Sequence, residues 1–370
     1  WTSQRLRRLC LIVLFHLIAS ATIAVAAYML GRNSVSTPEE LTASTRVPRT
    51  RSPSSSPSQY PSTFPSVSPS LLPTIDLEEL WIPIIQTESP ATNFSNATSP
   101  ERQALDWMLQ DPFTASVFDD ATRVLQRFAL SVFFYATGST SLGGWLQDSS
   151  ECNWRELACD FAGNLVVMNM DELGLAGTIP KEIGLLTQLT SLKFETNNFE
   201  GTIPTEIGKL SNLTVFDASR MSTLTGTIPT EIGGLTALSA LYIYENGNVE
   251  GTIPTEAGLL TDCSFFSIYG LNLTGTVPSE LGLLTALTIL DFSEMKHLSG
   301  PFPSELAQLT ILDQLHMYQT QITGHVPSSL CEDDSKEVFI DCDGSINCTC
   351  CSSYGGGAGG PCVNNPVGTL

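Results

Sequence analysis

Between residues 165 and 330 the apolar positions follow a compound rhythm. A short alternation comes first: Leu192 and Phe194 are apolar, while Ser191, Lys193 and Glu195 are polar. Such alternation predicts a strand with one buried row and one exposed row. A Gly-Thr-Ile-Pro phrase follows at Gly201, and Ile207 and Leu210 close the unit. The buried pair is then refilled by Phe216 and Ala218, Leu241 and Ile243, Phe266 and Ile268, Leu290 and Phe292, and Leu315 and Met317. An incomplete first unit supplies Met168 and Met170. The phrase marks the period. Gly177, Gly201, Gly226, Gly251, Gly275, Gly300 and Gly324 open its seven copies, at spacings of 24, 25, 25, 24, 25 and 24 residues. So constant a period predicts a solenoid, in which each unit buries its apolar edge only by stacking on the next. Gly201 permits a turn, and Pro204 prevents a long helix from following.

Written from Leu189, one unit reads Leu189-x-x-Leu192-x-Phe194-x-x-Asn197-x-Phe199-x-Gly201-x-Ile203-Pro204. This resembles the leucine-rich repeat, L-x-x-L-x-L-x-x-N-x-L. It is most similar to the plant-type class of receptor-kinase ectodomains, whose units read L-x-G-x-I-P-x-E, and the resemblance covers roughly residues 100–350. No kinase domain accompanies it in these 370 residues. The resemblance implies an α/β repeat solenoid. Short parallel strands would line the concave face over 165–330, with a helical cap over 100–164 and a Cys-rich cap and Gly-rich tail over 331–370. The segment Cys152-Asn153-Trp154-Arg155-Glu156-Leu157-Ala158-Cys159 resembles the N-terminal cap motif C-x-W-x-G-V-x-C, with Glu156 and Leu157 where Gly and Val are usual. It implies a Cys152–Cys159 bridge. Ser99-Pro100-Glu101 predicts a helix start. Val117, Ala121, Val124, Phe128 and Val132 predict a second helix that covers the open end of the stack. The chain departs from the family at the turn Asn: present at Asn197 and Asn246, it is replaced by Met221, Leu271, Met295 and Thr320.

The two ends are different material. Of the 42 residues from 34 to 75, 26 are Ser, Thr or Pro, too little apolar surface to fold. A disordered stalk is expected over 31–99. Leu77, Leu80, Trp81, Ile82, Ile84 and Ile85 within it offer a patch that could dock on the cap, which the sequence does not decide. Residues 9–30 form an uncharged apolar run apart from His16, long enough to span a bilayer. Arg5, Arg7 and Arg8 precede it and Arg32 follows, so the positive-inside rule leaves a cytoplasmic stub over 1–8 and exports the rest as a single-pass protein. A cleaved signal peptide, with Ala24-Val25-Ala26 at the cut, is the alternative, and the repeats would then be secreted.

Either topology suits the remaining features. Asn93, Asn96, Asn212, Asn272 and Asn347 each begin an N-glycosylation sequon. Cys331, Cys342, Cys348, Cys350, Cys351 and Cys362 crowd the end, where an exported chain favours disulfides over zinc. Their 15 possible pairings stay open. Cys263 stands in the first-Leu column as a small buried hydrophobe. No metal and no cofactor is expected. Formal net charge is −21, and from Cys152 onward 7 Lys and Arg stand against 25 Asp and Glu. That surface repels phosphate backbones, which argues against nucleic acid and toward cationic or neutral ligands.

Outward strand positions form columns on the concave face. Tyr242, Tyr244, Phe265 and Tyr269 fall on neighbouring strands, with His316 and Tyr318 further along. Strands about 4.8 Å apart join such rings into one candidate ligand surface. His316 follows Asp291 by one unit, which mimics a dyad, but no Ser or Cys nucleophile accompanies it in the sequence pattern. Binding is therefore expected, not catalysis. The apolar span, the stalk and the concave patch support a membrane-anchored, receptor-like protein that recognises an extracellular peptide, protein or glycan and signals through a co-receptor. A secreted binder or inhibitor of extracellular enzymes, and a surface adhesion or structural protein, are the alternatives. The column Thr178, Thr202, Thr227, Thr252 and Thr276 would serve the last class.

Overall fold

The computed structural model describes residues 76–138, 141–331, 336–341, 346–348 and 352–353. The expected stub over 1–8, the span over 9–30 and the stalk up to residue 75 lie outside the described residues. No helix among those described is long and apolar enough to cross a membrane.

The alternating positions build one continuous sheet. Its ten strands are Leu157–Cys159, Leu165–Asn169, Ser191–Lys193, Val215–Asp217, Ala240–Tyr242, Phe265–Ser267, Ile289–Asp291, Gln314–His316, Glu337–Ile340 and Ser352–Ser353, and they lie side by side in chain order. The first pair is antiparallel and all later pairs are parallel. The register never slips along the repeats. Met168 faces Leu192, then Phe216, Leu241, Phe266, Leu290, Leu315 and Val338 follow as successive partners. All of these side chains are buried, as are Phe194, Ile243 and Met317 from the second buried position. A one-residue slip would turn that whole row to water, which is why the register is so well specified.

Each unit returns through a second short strand and a single 3-10 turn. Gly226–Thr227, Val249–Gly251, Asn272–Gly275, His297–Pro301, Gln321–His325 and Ile346–Asn347 form a parallel ladder of their own. The turns Thr205–Lys209, Thr230–Gly234, Thr255–Leu259 and Ser279–Leu283 each follow a proline. Stacked turns approach closely: a Cβ at Gly258 would come within 2.6 Å of the Glu280 carbonyl oxygen one unit on. Gly226 takes a φ of 78°, which a side chain would resist. Asn197 ties its turn by donating to the carbonyls of Met170 at 2.7 Å and Phe194 at 2.8 Å, and it accepts from Leu175 N–H. Asn246 reaches back to the neighbouring unit, which lacks Asn, and accepts from Met221 N–H at 2.6 Å. Thr320 substitutes by donating to the Met317 carbonyl at 2.9 Å.

The cap is helical. α1 spans Leu77–Glu88, α2 Pro100–Gln110, α3 Pro112–Ser116 and α4 Ala121–Ala136. Ser99 caps α2 by accepting from Arg102 N–H, as expected. The second cap helix starts later than the apolar pattern implied. Asp120 caps α4 and accepts from Arg123 N–H, so Val117 belongs to the end of α3. α4 is buried on two sides. Val124, Phe128 and Val132 pack with Trp81, Ile85, Leu105 and Met108, whereas Leu130 and Phe133 enter the solenoid core. Phe133 stacks on Phe194 at 5.8 Å. The Cys152–Cys159 disulfide is formed. Cys348 is also disulfide-bonded. Cys263 is free and buried, its thiol pushed up to about 12 by burial, and it donates to the Phe265 carbonyl.

One boundary is corrected. The stalk expected through residue 99 is not disordered over its last part. Asp76 caps α1, and Trp81 and Ile85 are fully buried despite Pro83 inside the helix. The following loop is fastened to the first repeats: Thr92 donates to Glu182 at 2.7 Å, and Lys209 donates to the Glu88 carbonyl at 2.8 Å. The interior proline argues against a helix, and only burial of the indole and Ile85 against α2 and α4 overrides it.

Candidate functional site

The concave face is built from side chains that point outward at alternate strand positions. After each strand the backbone passes through one left-handed residue: Thr196, Arg220, Glu245, Glu294 and Gln319 have φ between 54° and 58°. A left-handed non-glycine residue costs about 1–2 kcal/mol. Stacking offsets it, because the freed amides bond across units: Arg220 N–H donates to the Tyr244 carbonyl and Glu245 N–H to the Tyr269 carbonyl, both at 2.9 Å. These residues are thereby aimed along the upper rim of the sheet.

Three consecutive units supply a stack. The Tyr244 and Tyr269 rings lie 4.8 Å apart and 7° from parallel. Arg220, from the preceding unit, places its guanidinium carbon 5.5 Å from the Tyr244 centroid. Arg220 also bridges Glu195 at 2.9 Å and Glu245 at 3.2 Å. The Tyr269 hydroxyl donates to Glu245 at 2.7 Å. Burial, and then that carboxylate, push the Tyr269 phenol up. Tyr242 meets Tyr244 edge to face at 6.3 Å. Aromatic pairs contribute about 0.5–1.5 kcal/mol each beyond area burial, so the rings are held in place before any ligand arrives.

Below the stack lies a buried acid. Asp217 is only 8 % exposed. Its Oδ1 accepts from both the amide and the hydroxyl of Ser219, and Ser219 is itself buried. Burial pushes Asp217 up to about 6, with the charges of Glu195 and Asp171 adding to the shift and the Ser219 bonds opposing it. Its partners in the sheet are Lys193 on one side and Tyr242 on the other. Burial, and then the Asp217 charge, raise Tyr242 to about 12.

The structure therefore brings Tyr242, Tyr244 and Tyr269 together. Phe265 is half-buried in the adjacent column, beside Ala240 and Ile289, and joins none of the ring contacts of the tyrosines. His316 and Tyr318 form a separate group. His316 packs edge-on against Phe339 at 5.0 Å and pairs with Asp291 at 3.2 Å. Its Nε2 is buried and has no partner among the described residues, and its Nδ1 is engaged by Asp291, so neither ring nitrogen is offered to a substrate. Tyr318, expected on the surface, is only 8 % exposed. Arg220 is absent from the aromatic pattern that points to this face, yet it organises the stack. Its signal was the 25-residue spacing of Glu195, Arg220 and Glu245, an alternation of charge at nearly the repeat period. Two open depressions lie away from these rings, one lined by Glu206, Lys209 and Glu231, the other by Thr252, Thr276, Glu280 and Pro303. Asn93, Asn96, Asn212 and Asn272 are exposed.

No protein-family model and no curated relative matches the chain. Similar solved structures include plant receptor ectodomains. The plant peptide hormone receptor RGFR1, in complex with RGF2, is 27% identical over 53% of this chain and 37% of its own, with a TM-score of 0.44. The Arabidopsis receptor kinase HAESA, with the peptide hormone IDA and the co-receptor SERK1, is 25% identical over 63% of this chain and 42% of its own, at 0.46. A chain of the Arabidopsis BIR3–SERK2 complex is 30% identical over 42% of this chain and 86% of its own, at 0.39. The chain spans about two-fifths of the length of the two receptors. The chain's own period and strand ladder make it a leucine-rich repeat solenoid, and with its cap disulfide it resembles the plant-type class.

Proposed function

We propose that this chain is an extracellular recognition module that binds a peptide or protein along its concave face. The observation that supports this most directly is the Arg220–Tyr244–Tyr269 stack, fixed by Glu195 and Glu245 on an uninterrupted parallel sheet. Rigid aromatic side chains lose little entropy on binding and present both area and a hydroxyl. Tyr242, Tyr244, Phe265 and Tyr269 form the centre of the ligand surface, and the partly exposed His316 marks its far end, where Tyr318 is largely covered. Peptides selected from a random display library against the full chain supply the test. Tyr244→Ala or Tyr269→Ala should weaken them by about 1–3 kcal/mol, and Lys193→Ala should leave affinity unchanged. Neither tyrosine belongs to the buried pair, so the fold survives. Tyrosine variants that bind like wild type would move the site off this face.

Residues 9–30 hold the module in a membrane with the repeats outside. The three arginines before the span and the exported character of the sequons and cysteines support this. The full-length chain should then resist alkaline carbonate extraction. Release into the medium with a mature N-terminus near Ala27 would instead establish the secreted alternative.

A further inference from the structure

Two strands of the sheet carry the same acidic device with different neighbours. In Asp291-Phe292-Ser293, Asp291 Oδ1 accepts from the Ser293 amide at 3.0 Å and from its hydroxyl at 2.6 Å. Its Oδ2 then meets His316 Nδ1 at 3.2 Å, on the next strand and in register. In Asp217-Ala218-Ser219 the Oδ1 bonds are the same. The in-register residue on the next strand is Tyr242, which is no cation. Among the described residues no Lys, Arg or His nitrogen forms an ion pair with Asp217. Lys193 adjoins it in register, but its charge acts on Asp171, and Arg220 is engaged by Glu195 and Glu245. Asp217 is thus a largely buried acid on a concave-face strand position, and its Oδ2 has no hydrogen-bond or ion-pair partner among the described residues and stays open to solvent.

A buried carboxylate without a counter-ion is costly unless something supplies one. The surroundings specify what fits. Asp171 and Glu195 add negative potential at the same spot. Tyr242 and Tyr244 stand edge to face beside it, and Arg220 already shows a guanidinium over the Tyr244 ring. The faces of Tyr244 are already covered by Tyr269 and Arg220, but a planar cation can lie against Tyr242 while its N–H groups reach the carboxylate, which favours arginine over the compact, strongly hydrated ammonium of lysine. We propose that Asp217, walled by Tyr242 and Tyr244, is a subsite for an arginine side chain of a peptide ligand, the position that His316 fills from within the chain at Asp291. This rests on the concave face being the binding surface.

The test compares two pools of fluorescein-labelled hexapeptides, randomised except for a fixed third position. One pool carries arginine there and the other citrulline, its neutral isostere. Anisotropy titrations with the full chain should show the arginine pool binding about tenfold tighter or more. Asp217→Asn should bring that ratio close to one. Glu250→Gln, which removes the same charge from an exposed position on the other ladder, should leave it intact, so a general attraction of cations to an acidic protein is separated from a site. Equal binding of both pools, lost in Tyr244→Ala, would overturn the arginine subsite and leave the concave surface standing. A preference that falls equally in Asp217→Asn and Glu250→Gln, or that persists in Tyr244→Ala, would overturn both, as would no binding of either pool at millimolar concentration.

Discussion

The molecule buries charge in two places, and it treats the charge in opposite ways. In the cap, the side chains of Arg127 and Glu151 are fully buried and Asp111 almost so. Arg127 pairs with Asp111 at 2.7 Å and Glu151 at 2.8 Å, and Thr114 accepts from its Nε. Trp107, Phe113 and Trp154 lie 4.8–5.2 Å from its guanidinium carbon. Burial acts to raise Glu151, but hydrogen bonds from Arg123 and Arg127 outweigh it and hold the carboxyl below the usual range. On the concave strand, Asp217 is nearly as buried and forms no ion pair among the described residues. A closed network of charges anchors helices to one another. An open one on a solvent-facing sheet is a local violation of the same rule, and such violations concentrate at functional sites.

The comparison is broken most easily from the cap side. Arg127→Leu leaves Asp111 and part of Glu151 buried without their counter-ion, and should cost about 3–5 kcal/mol in urea unfolding. A loss below 1 kcal/mol would mean that the cap charges are no better paired than Asp217. The smaller effect has the opposite sign. Asp217 titrates near 6 in the folded chain, above the ordinary carboxylate value. The folded state therefore favours the protonated form. That stability is fully present below about pH 4 and is lost as pH rises through 6. Lys193 and Glu195 on the preceding strand, Tyr242 and Tyr244 on the following one, and Asp171 beyond are the groups that face it. Asp217→Asn keeps an acceptor for Ser219 and removes the charge. It should raise unfolding free energy by about 2–3 kcal/mol at pH 7.5 and by nothing at pH 4. A variant destabilised at both pH values would show that Asp217 is already satisfied.

Much of the candidate face was legible because strands force strict alternation. Once Leu192 and Phe194 are inside, Lys193 and Glu195 must be outside, and the period carries this to Tyr242 and Tyr244 without any knowledge of contacts. Alternation does not say how far an outward side chain leans onto its neighbours. Ser219 and Ser293 share the outward column with Tyr244, yet both are buried beneath the aspartates two residues before them. Tyr318 is likewise largely covered. Arg220 was harder to see, since its role depends on a left-handed backbone that no residue type announces. α1 was hidden for another reason: Pro83 weakens its local signal, and its stability comes from Trp81 meeting Met108 and Phe128 across the cap.

By itself the sequence determined the solenoid, its period, the buried row of each strand, the cap disulfide and the column that carries the tyrosines. All but the disulfide, which the resemblance of the cap motif implies, follow from local spacing, because a parallel stack repeats one unit's geometry at every step. Only the tertiary structure decided which charges meet. Whether Asp291 finds His316 while Asp217 finds Tyr242, and whether Arg220 lies on a ring or in solvent, depends on distances of a few ångströms between units about 25 residues apart in the chain. Electrostatic and hydrogen-bond energies change steeply over those distances, whereas the hydrophobic pattern that builds the stack does not.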